Sequence, residues 1–162
     1  MIKNVVTGGL ALFAVFVLYA GGALAKEDRH VGYYYPKPAN IETYTARARV
    51  LEDMDRRKRI EFVVTMVNAM LSRPYPLPAS IFVKGDQAEK LIIVSNEEGR
   101  LNTIYRARAL LATMTSSVRD TEIFKKYSVE SYFTFLDLLK MLGFKKVTVS
   151  DGDAFTHQIL IK

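Results

Sequence analysis

The stretch Ser80–Val94, SIFVKGDQAEKLIIV, contains two strand signals separated by a turn signal. Its apolar ends, Ser80–Val83 and Leu91–Val94, are short runs rich in β-branched and aliphatic residues, which are typical of strands. Between them, Gly85–Gln87 supplies residues that favour turns. The stretch therefore predicts a β-hairpin, and the segments on either side of it are interpreted around that hairpin.

Three further strands are predicted. Lys145–Ser150 and Ala154–Lys162 are joined through Asp151-Gly152, a dipeptide that favours a tight hairpin turn. Ile41–Val50 alternates imperfectly between the two sides of an extended chain, which predicts a first strand. The chain thus contains two predicted hairpins and one separate strand near the start of the domain.

The clearest helix is predicted from about residue 55 to residue 72, with Asp53 or Asp55 as its cap. We expect it to end at Arg73-Pro74, because the residue before a proline disfavours helical backbone. Its apolar side chains recur at helical spacing, which predicts one buried face. That face comprises Ile60, Val63, Val64, Val67 and either Met70 or Leu71.

More helices are predicted in the second half of the chain. Asn96–Gly99 predicts a turn with a positive φ at its glycine, and residues 100–103 fit either a short return strand or the approach to a helix. A helix follows over about 104–118, and a short one is expected within Asp120–Tyr127. Ser128 is predicted to cap a helix over 129–142 that ends at Gly143. The 104–118 helix is expected to bury Ile104, Ala107, Leu111, Met114 and Val118.

The order of the predicted elements is strand, helix, two strands, helices and two strands. Paired hairpins with helices between them favour an α+β domain. We expect an antiparallel or mixed sheet of about five strands packed with three or four helices, spanning residues 41–162.

The N-terminus predicts export. Residues 1–25 have a short positive start, an apolar run and the small-x-small sequence Ala23-Leu24-Ala25, which together indicate a signal peptide. The alternative is an uncleaved membrane anchor, since Val5–Leu24 just reaches the length that spans a bilayer. Residues 26–40, rich in tyrosine and proline, predict an extended arm. The expected location is the periplasm, or the membrane if the first helix is retained.

Composition excludes several classes of site. The chain has no cysteine, so it has neither disulfides nor thiolate or zinc–thiolate chemistry. Its net charge of +6 favours an anionic lipid, an acidic protein partner or a small anion. Nucleic acid is not expected as a partner of an exported chain.

Two sets of side chains are candidates for binding. A partner surface is predicted from the aromatic and basic residues Tyr33, Tyr34, Tyr35, Arg56, Arg57 and Arg59. The tyrosines could instead pin the arm to the core, and the arginines could be a solvated helix start. An anion site is predicted from Lys84, Lys90, Arg100, Arg106 and Arg108. These five cations could instead be solvated and paired with nearby glutamates.

Catalytic and metal signals are weak in this sequence. His157 shares a predicted strand face with Phe155, Ile159 and Ile161, which favours a hydrogen-bonded core histidine over a ligand. No cluster with metal-ligand spacing accompanies it. We therefore predict no catalytic residue, no metal site and no cofactor.

Segments throughout the chain resemble a family of small exported bacterial proteins. They are Tyr33–Pro36, Arg73–Pro76, Ile81–Gly85, Glu89–Val94, Ile104–Leu111, Tyr132–Phe135 and His157-Gln158. Members sometimes carry the name molybdopterin-guanine dinucleotide biosynthesis protein A, so the resemblance implies a guanylyltransferase. The phosphate-holding loop of those enzymes, of the type Leu-Ala-Gly-Gly-x-Ser-x-Arg-Met-Gly-x-Asp-Lys, is absent here. The two Gly-Gly pairs, Gly8-Gly9 and Gly21-Gly22, both lie within the predicted signal peptide.

Three functions are therefore expected from the sequence. The first is an exported binding or accessory domain that contacts an envelope protein or a membrane complex. The second is a binder of an anionic small molecule through the lysines and arginines named above. The third, the guanylyltransferase, follows only from the family resemblance.

Overall fold

The computed structural model describes residues 37–76 and 79–162. The predicted signal peptide and residues 26–36 of the arm lie outside these ranges. The strands are β1 (Asn40–Tyr44), β2 (Ala79–Lys84), β3 (Lys90–Ser95), β4 (Lys146–Ser150) and β5 (Thr156–Ile161). The helices are α1 (Arg56–Leu71), α2 (Ile104–Val118), α3 (Glu122–Tyr127) and α4 (Phe135–Met141).

The five strands form one mixed sheet in the order β1-β5-β4-β3-β2. The hairpins β2–β3 and β4–β5 are antiparallel, as the two turn signals predicted. Two parallel pairings, β3 with β4 and β1 with β5, join the hairpins to each other and to the first strand. The α+β fold with a mixed sheet and four helices is therefore confirmed.

The hydrophobic core lies between one face of the sheet and the helices. Side chains alternate along a strand, so paired positions on neighbouring strands share a face. The buried sheet residues on the core face are Ile81, Leu91, Ile93, Val147, Val149, Ile159 and Ile161, and they pack with apolar residues of α1, α2 and α4. The helical layer on this face holds the candidate site.

Helix α1 begins as predicted, but its buried face differs from the predicted one. Asp55 caps it by accepting a hydrogen bond from the backbone N–H of Lys58 at 2.8 Å. Val64, predicted as buried, is 52% exposed, whereas Phe62 and Met66 pack against the core. Of the two alternatives Met70 and Leu71, it is Met70 that packs there. The predicted stripe was wrong at Val64 because α1 packs on the edge strand and turns its other flank towards α2.

The segment 129–142 was predicted as one helix, and this is wrong. Ser128 has a φ of +52° in the left-handed region and ends α3 instead of starting the next helix. Helix α4 begins only after Thr134, whose hydroxyl accepts from the N–H of Asp137 while the Asp137 carboxylate accepts from the N–H of Thr134. This reciprocal cap fixes the start of the helix six residues later than predicted.

Residues 97–103 form a turn that leads into α2. Gly99 has a φ of +69°, as predicted from the turn sequence, and Thr103 caps α2 by accepting from the N–H of Arg106. Residues 100–103 therefore form the approach to a helix and not a return strand. Within 37–76 and 79–162, no helix combines the length and the apolar character needed to cross a bilayer.

Candidate functional site

An apolar groove of about 420 Å³ lies between α1 and α2, with α4 beneath it. Helix α1 contributes Phe62, Thr65, Met66, Ala69, Met70 and, just after its end, Arg73. Helix α2 contributes Leu110, Thr113, Met114, Ser117 and Val118, and Thr121 and Ile123 follow it. The spacing of three and four residues within each helix places each set on one face.

The floor of the groove comes from α4 and is held by a buried carboxylate. Phe135, Leu138 and Leu142 line the floor and are all buried. Asp137, on the same helix, is fully buried and accepts hydrogen bonds from the Tyr44 hydroxyl at 2.9 Å and from the backbone N–H of Arg47 at 2.8 Å. These contacts attach α4, and with it the floor of the groove, to the end of β1 and the residues that follow.

The hydroxyl groups in the α2 wall do not offer donors to a ligand. Thr113 donates to the carbonyl of Ala109 at 3.0 Å, and Ser117 donates to the carbonyl of Thr113 at 3.1 Å. Thr121 likewise donates to the carbonyl of Val118 at 2.6 Å. Because the helix backbone already uses these hydrogens, the wall presents mainly methyl and methylene groups. The α2 side of the groove therefore suits an apolar chain.

A polar cleft of about 610 Å³ adjoins the groove near the start of α2. Leu110 and Thr113 belong to the walls of both cavities. The other residues around the cleft are Ala79, Glu97, Glu98, Gly99, Arg100, Leu101, Asn102, Arg106 and Ala109. The apolar groove thus borders a cleft that carries charged side chains of both signs.

The two arginines of the cleft are held by the turn before α2. Arg100 Nη1 lies 2.7 Å from Glu97 Oε2. Arg106 Nη1 donates to the carbonyl of Gly99 and, at 3.0 Å, to Asn102 Oδ1. Each guanidinium has five N–H donors, and these bonds use only those on Nη1. Both side chains therefore have further donors to direct at a ligand.

The structure does not bring the five cations of the predicted anion site together. Of the five, Arg100 and Arg106 line the polar cleft. Lys84 and Lys90 face each other at the turn end of the β2–β3 hairpin, about 17 Å of strand from the end that leads to Arg100. Arg108 lies on a different face of α2 from Arg106 and pairs with Glu42 at 2.7 Å.

Arg59, one residue of the predicted partner surface, is buried. Arg59 is only 6% exposed, and its guanidinium donates to the carbonyls of Gln87 at 2.7 Å and Leu142 at 3.4 Å. It anchors α1 to the hairpin turn and to the end of α4, so it is not available to a partner. Arg56 and Arg57 are exposed, and Tyr33, Tyr34 and Tyr35 lie outside the described residues.

A second polar cluster links β1, β5 and α2. Glu42 Oε1 lies 3.0 Å from His157 Nε2, and Glu42 Oε2 accepts from Arg108 Nη2 at 2.7 Å. Partial burial raises the pKa of Glu42, but the hydrogen bonds and charges of Arg108 and His157 outweigh this, so that pKa lies below its usual value. His157 is fully buried and its Nδ1 has no hydrogen-bond partner among the described residues. The prediction of a hydrogen-bonded core histidine is confirmed.

Metal chemistry finds no support in the residues that the structure describes. Over those residues, no three or more histidine, cysteine, aspartate or glutamate side chains gather as a metal-binding group. The two aspartates of Asp151–Asp153 belong to the turn that joins β4 to β5. Asp151 Oδ1 accepts from the backbone N–H groups of Asp153 and Phe155, so this carboxylate oxygen stabilises the turn.

Comparison of the chain with protein-family models, with curated proteins and with solved structures finds no match. The sequence prediction missed the groove, although Phe62, Met66 and Met70 recur at a spacing of four residues in α1. It also missed the helix cap in Thr134-Phe135-Leu136-Asp137, a recognisable capping sequence.

Proposed function

We propose that this domain binds an amphiphilic small molecule. The single observation that carries the proposal is the junction of the apolar groove with the charged cleft at Leu110 and Thr113. One molecule with an acyl chain and a polar head would fill both. The chain would lie along α1 and α2, and the head would lie beside Arg100 and Arg106.

The size and lining of the groove support this proposal. Its volume of about 420 Å³ falls within the range of about 300–1,000 Å³ that is usual for small-molecule sites. The wall from Leu110 to Val118 comprises nine residues of α2, and the eight steps between the first and the last correspond to a length of about 12 Å. A groove lined along two helices in this way suits an acyl chain.

The methionines of the groove support binding of an acyl chain. Met66, Met70 and Met114 line its walls from both helices. Methionine is unbranched and flexible, so its side chain adjusts to apolar ligands of irregular shape. Burial of the chain would provide the main driving force, at about 25 cal/mol for each Å² of apolar surface removed from water.

This proposal narrows the anion-binding function that was expected from the sequence. Of the five predicted cations, Arg100 and Arg106 remain at the proposed site, and the groove adds an apolar component that the sequence analysis did not include. We propose further that the domain acts outside the cytoplasm, as residues 1–25 predict.

Contact with an acidic protein partner is a second candidate function. It is favoured by the exposed cations Arg56, Arg57 and Lys58 at the start of α1, where the first turn carries no acidic residue. Cations at a helix N-terminus oppose the helix dipole, so their presence there costs some stability. An envelope protein with an acidic surface would compensate this cost.

Mass spectrometry under non-denaturing conditions tests the primary proposal. The full-length protein would be mixed with palmitate, palmitoyl-lysophosphatidylglycerol or palmitoyl-lysophosphatidylethanolamine, each below its micelle-forming concentration. We expect a one-to-one complex with at least one of these three molecules. The absence of any complex with all three would contradict the proposal.

A further inference from the structure

The cleft beside the groove presents charges of both signs to a ligand. Arg100 and Arg106 supply guanidinium donors, while Glu97 and Glu98 supply carboxylates on the same turn. Glu97 is paired with Arg100 at 2.7 Å. Glu98 is exposed, and it forms no ion pair with any residue in the described part of the chain. The cleft is thus equipped to meet a positive group as well as a negative one.

Arg106 is the residue of the cleft best placed to bind a phosphate. Its Nη1 contacts, to Gly99 and Asn102, hold the guanidinium against the turn. The donors on Nε and Nη2 are not used in those two contacts, and a phosphate binds an arginine through two parallel hydrogen bonds. Arg100, beyond Glu97, adds a second positive charge in the same cleft.

We infer that the preferred ligand is a zwitterionic single-chain phospholipid of the lysophosphatidylethanolamine class. This inference rests on the proposed function and names its ligand. The acyl chain occupies the groove, the phosphate lies against Arg106 and Arg100, and the ammonium group lies against Glu98. One groove of about 420 Å³ accommodates one chain, which favours a lysolipid over a two-chain lipid.

The Glu98 carboxylate should disfavour binding of a ligand whose head group carries only negative charge. A head with a phosphate and no positive group leaves Glu98 unpaired beside the bound negative charge, and like charges in one site are unfavourable. An ammonium group converts this repulsion into an attraction. Selection between two lysolipids with the same acyl chain therefore depends on Glu98.

Titration calorimetry with the full-length protein tests this inference. The ligands are palmitoyl-lysophosphatidylethanolamine, palmitoyl-lysophosphatidylglycerol, palmitate and the chain-free head group glycerophosphoethanolamine. We expect the zwitterionic lysolipid to bind about tenfold more tightly than the other two palmitoyl compounds, which corresponds to about 1.4 kcal/mol. The chain-free head group is expected to bind far more weakly than any of them.

The variant Glu98→Gln isolates the contribution of the ammonium group. It should weaken binding of the zwitterionic lysolipid and strengthen binding of lysophosphatidylglycerol, so that the preference is lost. Glu61→Gln is the matched control, because Glu61 is also exposed and lines neither cavity. The control should keep the wild-type preference.

The outcomes separate the inference from the proposed function. If all three palmitoyl compounds bind with equal affinity, the amphiphile site stands and the zwitterionic preference is overturned. If Glu98→Gln keeps the preference, the assignment of the ammonium group to Glu98 is overturned. If none of the palmitoyl compounds binds, the proposed function fails, and tight binding of glycerophosphoethanolamine alone would exclude a role for the acyl chain.

Discussion

Glu42 and His157 lie on neighbouring strands of the sheet, with the carboxylate Oε1 3.0 Å from the imidazole Nε2. An ionised carboxylate only accepts hydrogen bonds, so Nε2 is the donor. The other carboxylate oxygen accepts from Arg108 on α2 at 2.7 Å. One side chain on the edge strand β1 therefore ties that strand both to β5 and to the helical layer.

The contacts of Glu42 should make the free energy of unfolding depend on pH. The pKa of Glu42 is lowered in the folded protein, so the ionised form stabilises the fold. This contribution is complete above the carboxylate pKa of the unfolded chain and is lost as the pH falls through the lower, folded-state value. Glu42→Gln should therefore reduce the free energy of unfolding near neutral pH and have a smaller effect in acid.

Urea unfolding of both proteins at about pH 7 and at about pH 3 measures this difference. Glu61→Gln, at an exposed position of α1, serves as the control for loss of one carboxylate. A destabilisation by Glu42→Gln that is the same at both pH values would show that the charge of Glu42 does not matter.

Arg59→Met is predicted to destabilise the protein by about 2–4 kcal/mol. Methionine keeps much of the length of the side chain, but it removes the donors that satisfy the carbonyls of Gln87 and Leu142. Arg57→Met, at an exposed neighbouring position, should change stability by less than about 0.5 kcal/mol. Equal effects of the two substitutions in urea unfolding would refute the anchoring role of Arg59.

Asp137→Ala is predicted to cost about 2–3 kcal/mol, since it removes the carboxylate half of the reciprocal cap of α4 and leaves the Arg47 N–H without its acceptor. Asp120→Ala, on an exposed turn, provides the comparison and should be nearly neutral. Thermal unfolding followed by circular dichroism measures both. A melting temperature of Asp137→Ala equal to that of wild type would contradict the prediction.

Two glycines with positive φ should differ in their tolerance of alanine. Gly99→Ala should cost about 1 kcal/mol from backbone strain alone, whereas Gly143→Ala should cost more, up to about 3 kcal/mol. At Gly143 an added Cβ would lie 2.8 Å from Arg59 Nη1, while at Gly99 the nearest such atom is 3.7 Å away. Urea unfolding that ranks the two variants in the opposite order would disprove this reasoning.

The elements of the fold that depend on local sequence were predictable. The Ser80–Val94 hairpin forms with Ile81 opposite Ile93, and Asp55 caps α1, because turn and capping preferences act over a few residues. The pairing of β1 with β5 was not predictable in this way. Those strands are separated by more than a hundred residues, and their alignment depends on the whole sheet.

The candidate site was predictable only in part, because it too depends on contacts between residues that are far apart in the sequence. Arg100 and Arg106 were identified from their charge, but the sequence did not show that Lys84, Lys90 and Arg108 point to other places. The burial of Arg59 depends on the carbonyls of two distant loops. The groove depends on the spacing between α1 and α2, which periodicity within either helix does not define.

Blocking the groove tests the central claim most directly. Ala69 lines the groove on α1, and Ala112 is another exposed alanine, on α2, that lines neither the groove nor the cleft. Calorimetry would compare the binding of palmitoyl-lysophosphatidylethanolamine to Ala69→Trp and Ala112→Trp. We predict that Ala69→Trp weakens binding by about tenfold or more while Ala112→Trp binds like the wild type. Wild-type affinity in Ala69→Trp would show that the groove between α1 and α2 is not the binding site.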